Sequence, residues 1–227
     1  MTGNNIPYQI DGEKFEAYFA TPNNTAPLVF MVHAWGGVSD YEKRRADMLA
    51  DMGYAAFAVD LFGAGIRPTE IEERKATIMP LYQDRERMRK LLYGGLDAAR
   101  DNGGNVDNAV AMGYCFGGAC VLELARSGAD LKGFATFHGG LATPEGQDYS
   151  GTKGELLIMH GTADAAITME DFAALATELE AAAVSHEMIT YSGAPHAFTV
   201  FDSPAYRKDA DEKSWRRFGE FLQDTLK

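Results

Sequence analysis

Gly113-Tyr-Cys-Phe-Gly-Gly118 stands between the apolar run Ala109–Met112 and the helix-forming stretch Phe116–Arg126. It spells Gly-x-nucleophile-x-Gly with a cysteine at the centre. A sharp strand-to-helix turn holds its central residue in a strained backbone and leaves no room for side chains two residues to either side. Gly113 and Gly117 supply that room, and Gly118 lets the helix pack close to the strand. The helix also aims its first-turn amides and the positive end of its dipole at Cys115, which favours thiolate over thiol. A cysteine without such surroundings behaves as a small buried hydrophobe. Cys120, inside the helix and outside any Cys-x-x-Cys pair, is read that way.

Outward from this turn, short apolar runs alternate with longer helical patterns. Leu28–His33, Tyr54–Asp60, Asn108–Tyr114, Gly133–Phe137 and Glu155–Met159 have strand length, and His186–Tyr191 is a weaker run. Runs apolar on both faces fit a parallel sheet covered by helices. Tyr8–Ile10 and Lys14–Ala20, joined by Asp11-Gly12, predict a β-hairpin at the sheet edge. Ser39 or Asp40 is the expected cap of a helix running to Met52, with Gly53 as its stop. One long helix is expected over Pro80–Arg100, weakened locally by Gly94-Gly95, and others over Met169–Ala183 and Tyr206–Leu226. The sum is one domain over residues 1–227, of α/β class, with a mostly parallel central sheet and helices on both faces. Ligands in such sheets bind beyond the carboxyl ends of the strands.

An elbow nucleophile needs an acid and then a histidine downstream. Glu155-Leu-Leu-Ile-Met-His-Gly-Thr-Ala-Asp164 is an apolar strand followed by a loop that ends in an acid. Gly193-Ala-Pro-His196-Ala-Phe198 is a loop after the next strand. His196 is positioned to accept the thiol proton and return it to a leaving group. Asp164 would hold the imidazole in the right tautomer. The plainer alternatives are a solvated loop histidine and a helix cap, although Thr168 offers itself as the cap. His33, His138 and His160 end strands and either line a pocket or pack under it; His186 is expected at the surface. No His, Cys or carboxylate falls at metal-ligand spacing, so neither metal nor cofactor is expected.

The 227 residues carry a net charge of −12, with 46% hydrophobic and 24% charged residues. An acidic surface repels phosphate backbones and anionic lipid, which argues against nucleic-acid and membrane partners. Met1–Tyr8 has no basic start and no apolar run, and two cysteines make no disulfide framework. Both features point to the reducing cytoplasm.

With these motifs in order, the chain resembles the dienelactone hydrolase family of α/β-hydrolases. The likeness rests on the elbow, the Gly-Thr-Ala-Asp164 loop, the Pro-His-Ala-Phe198 segment and His33-Ala-Trp-Gly-Gly37, which looks like the family's oxyanion loop. It implies an oxyanion hole made of the backbone N–H groups of Trp35 and Phe116. It also implies a small-molecule substrate and a monomer or homodimer. Dienelactone hydrolases proper carry a glutamate just before the oxyanion amide. Ala34 stands there, so proton removal from Cys115 falls to His196. Arginines clamp the substrate carboxylate in the family, yet residues 197–201 contain none and Arg74 is the one match to the other clamp. Trp35, Phe62, Phe116 and Phe198 instead suggest a neutral or aromatic substrate, with Trp35, Phe62 and Phe198 as pocket candidates.

Thiolate leaves a tetrahedral intermediate more readily than alkoxide or amide nitrogen does. The expected substrates are therefore activated esters and enol-lactones, with amides excluded and neutral phosphate triesters as an extension. Two other readings stay open: a non-catalytic ligand-binding relative of the same fold, and a redox thiol protein.

Overall fold

Continuous apolar runs become strands because a sheet covered on both faces offers them no solvent. The computed structural model describes residues 2–226. The chain divides into two compact units, Met1–Ala111 and Met112–Lys227.

In the first unit, β1 (Asn4–Ile10) and β2 (Glu13–Ala20) form the antiparallel hairpin. Asp11 and Gly12, at φ +50° and +82°, make its turn, a conformation that matches the twist of the two strands. The strands β3 (Pro27–Val32) and β4 (Ala55–Val59) are parallel to each other, and β2 pairs antiparallel with β4. Leu28–Val32 and Ala55–Val59 are buried throughout. Helix α1 (Asp40–Asp51) lies between them in sequence, and Ser39 caps it in a capping box with Glu42.

The single helix expected over Pro80–Arg100 is two helices, α2 (Ile71–Gln83) and α3 (Arg85–Asp101). Pro80 rides in the last turn of α2 rather than opening a helix. The break falls at Asp84, with φ −116° and ψ 89°, whose side chain accepts from the Arg87 N–H and so caps α3. The glycine pair does not weaken α3 but seats it. A Cβ on Gly95 would lie 2.3 Å from Val59 Cγ2, and one on Gly94 2.5 Å from Ile10 Cδ1. A side chain at Gly95 would have to displace Val59, and one at Gly94 the tip of Ile10.

β5 (Asn105–Tyr114) carries the chain into the second unit. There α4 (Phe116–Arg126) follows it after one residue and packs against β6 (Gly133–Phe137). β6 runs parallel to β7 (Glu155–Gly161), and β7 parallel to β8 (His186–Tyr191). Helices α5 (Met169–Ala181) and α6 (Lys208–Thr225) complete the unit, with α6 against β6 and β7. The strand order is β1-β2-β4-β3 in the first unit and β6-β7-β8 in the second, and the fold is of α/β class with mostly parallel strands and helices. No helix among the described residues is long and apolar enough to cross a membrane.

Candidate active site

At the end of β5 the chain turns through Cys115, at φ +54° and ψ −116°, which is also the N-cap of α4. Gly113 and Gly118 leave no room for a side chain beside the turn. A Cβ on Gly113 would sit 2.2 Å from the Gly117 carbonyl oxygen, and one on Gly118 2.5 Å from Gly139 Cα. Neighbouring backbone secures the turn. The Cys115 N–H donates to Phe137 O at 3.1 Å, and Cys115 O accepts from Gly118 N and Gly140 N at 3.0 and 3.3 Å. Cys115 is half-buried, whereas Cys120 is fully buried inside α4.

The acid and the histidine come together because their loops are stitched. Gly161 closes β7 with no space for a Cβ, which would meet Ala194 O at 2.2 Å. Thr162 N donates to Tyr191 O and Ala163 N to Ala194 O, each at 3.0 Å, and Gly193 N donates to Thr162 Oγ1 at 2.8 Å. These bonds hold Asp164 Oδ2 and His196 Nδ1 2.8 Å apart. The other carboxylate oxygen of Asp164 accepts from Ala166 N and Ile167 N, both at 2.9 Å. Thr168 caps α5 in a box with Asp171, so the capping alternative for Asp164 falls to Thr168. Cys115 is among the groups that act on the charge of the His196 ring.

Electrostatics follow from these contacts. Burial opposes a charged imidazole at His196, but the bonds to Asp164 and Cys115 outweigh it and push its pKa up to about 10. Burial alone would raise the Asp164 carboxyl; the bond to His196 and the amides of Ile167 and Ala166 overcome that and hold it below its ordinary value. The Asp164 carboxylate thus faces a ring that favours the imidazolium.

The remaining expectations divide. His33, His138 and His160 are all completely buried. His33 Nε2 accepts from Leu61 N at 3.1 Å and its Nδ1 meets Ala34 O at 2.6 Å, so it fastens the loop after β3. His160 stacks on Phe172, and burial lowers its pKa. His186 is not a free surface residue, since Nδ1 bonds Val184 O at 2.7 Å. Phe198 has no exposed surface and packs on His138 and Tyr191, which makes it core rather than pocket lining. In the first unit Trp35 and Phe62 stay partly exposed. Arg74 lies over the Trp35 ring at 5.3 Å and bonds Pro68 O through Nε.

One contributor escaped the sequence reading and a second was left ambiguous by it. Glu42, almost wholly buried, accepts from Ala34 N and from Ser39 N and so braces the loop that carries Trp35. Ser39-x-x-Glu42 is a capping-box signature, which was the available signal. His138 is the other; its ring lies against His196 with centroids 5.2 Å apart.

Comparison with known proteins identifies the family. A solved dienelactone hydrolase-like promiscuous phosphotriesterase from metagenomic libraries is 29% identical, covers 100% of this chain and 99% of its own, and superposes with a TM-score of 0.89. A protein of Escherichia coli (strain K12), provisionally named carboxymethylenebutenolidase, is 26% identical over 96% of this chain and 84% of its own. One of Saccharolobus solfataricus with the same provisional name is also 26% identical, over 98% of each chain. The dienelactone hydrolase family model matches residues 15–226, and the chain belongs to that family of hydrolases.

Proposed function

We propose that this protein hydrolyses small, neutral, activated esters and enol-lactones through a covalent intermediate on Cys115, with His196 as acid–base and Asp164 as the group that orients it. The observation that carries the reading is the pairing of acid and base: His196 lies 2.8 Å from Asp164, and Asp164 and Cys115 together raise its pKa to about 10. In the reaction that ring accepts the thiol proton, so that the sulfur attacks as thiolate.

The thiolate attacks the carbonyl carbon. Charge moves to the carbonyl oxygen, where the N–H groups of Phe116 and Trp35 are assigned to stabilise it. Collapse expels the enolate or aryloxide, which takes the proton from His196. An acyl-thioester remains. Water then gives a proton to neutral His196 and adds to the acyl carbon, and the thiolate departs with a carboxylic acid as product. No step calls for a metal. Trp35 and Phe62 are the candidates to face the substrate, and Arg74, engaged with Trp35 and Pro68, is not assigned as a carboxylate clamp. Attack on a neutral phosphate triester would use the same groups at phosphorus, a reading supported by the likeness to the promiscuous phosphotriesterase.

Mass spectrometry of protein quenched during turnover of a chromogenic aryl ester tests the proposal. An acyl adduct on the peptide bearing Cys115 is expected. Unchanged turnover by Cys115→Ala, with no adduct on the native protein, would overturn it. Tight ligand binding with no turnover would favour the non-catalytic relative, and peroxide-dependent reversible oxidation the redox protein.

A further inference from the structure

Three non-glycine residues with left-handed backbone gather at this site: Cys115 at φ +54°, His138 at +41° and Ala197 at +61°. Residues bearing a Cβ avoid that region, and it persists only where surroundings hold it. Cys115 is explained by the elbow, and Ala197 follows the base directly. His138 has no part in the proton transfers above.

Its position ties the other two together. On the backbone side, Phe137 O and Gly140 N, one residue before it and two after, grip Cys115 N and O. His138 N itself donates to Met159 O at 2.8 Å, which anchors the segment to β7. On the side-chain side, its Nε2 is 2.8 Å from Thr199 Oγ1, three residues past the base. Its ring meets His196 at 68° and Phe198 at 77°, edge to face. The same ring lies 5.9 Å from that of Tyr114, the residue before the nucleophile. One buried side chain thus touches the nucleophile's neighbour, the base and the base's loop.

We propose that His138 is a positioning residue that sets the distance and angle between the His196 ring and the Cys115 sulfur, through its ring contact with His196 and its bond to Thr199. Its edge-to-face contact limits rotation of the His196 ring. The bond to Thr199, itself completely buried, limits sliding of the loop. An aromatic hydrocarbon would fill the space as well but could not make that bond. The proposal rests on the cysteine-hydrolase reading above.

The test pairs His138→Phe, which keeps a ring, with Thr199→Val, which keeps the shape, and with Thr199→Ser, which keeps the hydroxyl. Measurements are kcat and KM for para-nitrophenyl acetate, and the pH profile of Cys115 alkylation by iodoacetamide. His138→Phe and Thr199→Val should each lower kcat by roughly ten- to a hundredfold, as small misplacements of catalytic groups do. KM should hold within about twofold, because binding of substrate is not what the contact controls. Both should displace the alkylation profile, Thr199→Ser should restore it, and the double variant should be no worse than His138→Phe alone. If His138→Phe does not fold, Thr199→Val against Thr199→Ser makes the same comparison. Folded variants with native kcat and native alkylation profile, changed only in thermal stability, would reduce His138 to packing and overturn the proposal. Cys115→Ala separates the two readings. Should it stay active, the hydrolase mechanism itself fails; should it be inactive while His138→Phe is fully active, only the positioning role fails.

Discussion

Replacing Asp164 by Asn changes one charge and almost no volume. Oδ1 of the amide could go on accepting from Ala166 N and Ile167 N, now at 2.9 Å each. Its NH2 would then face His196 Nδ1, where the carboxylate oxygen stood at 2.8 Å. Donor would meet donor, so the ring must turn or change tautomer. The gap between the ordinary 6.5 and about 10 corresponds to about 5 kcal/mol in favour of the charged ring. Burial works against that sum, and the Asp164 bond is the largest contribution in its favour. A charge-assisted hydrogen bond contributes about 1.5–3 kcal/mol. Its loss should lower the His196 pKa by about 1–2 pH units, and the acidic limb of Cys115 alkylation should shift in response. Turnover should fall by about two to four orders of magnitude, the range over which a histidine in the wrong tautomer disables a triad. Stopped-time alkylation with iodoacetamide from pH 4 to 9, read by intact mass, measures the limb directly. Superposable profiles for the native protein and Asp164→Asn would refute the reasoning, because the carboxylate would then have no hold on the charge of the ring.

Stability should depend on pH through the same pair. His196 is raised, so its contribution is fully present below pH 6.5 and is lost as pH rises through about 10. Asp164 is lowered, so its contribution is present above its unfolded value and lost as pH falls through the folded one. Urea unfolding should therefore show a decline between pH 7 and about 10 that is shallower in His196→Gln; identical slopes would count against the linkage. Gly95→Ala would place a methyl 2.3 Å from Val59 Cγ2 and 3.2 Å from Phe30 Cζ. Despite the better helix propensity of alanine, it should destabilise by about 1–3 kcal/mol in urea titrations. A neutral or stabilising result would mean that α3 is not seated by its glycines.

Strands were legible because burial on both faces leaves an unbroken apolar run, and β6 and β8 begin and end at the residues read from sequence. The elbow was legible because its glycines answer to backbone contacts a few residues away. The helix junction at Asp84 was not. Proline is favoured at the start of a helix and tolerated elsewhere only by context, and here Glu70 and Glu73 open α2 well before Pro80. His138 was ambiguous for a different reason. Its partners Thr199 and His196 are some 60 residues distant, brought near by the pairing of β6 with β7 and β8 rather than by any local pattern. Phe198 looked like a wall of the pocket because sequence tells that a residue is apolar and beside the base, not which way its ring turns.

The start of α5 has a quiet consequence. Thr168 and Asp171 close that helix between themselves, so its cap does not draw on Asp164, which bonds the Ala166 and Ile167 amides of the loop ahead. Chemistry and architecture draw on separate carboxylates only seven positions apart. A lineage could move its acid to another strand end, or abandon catalysis altogether, without having to rebuild the element that follows.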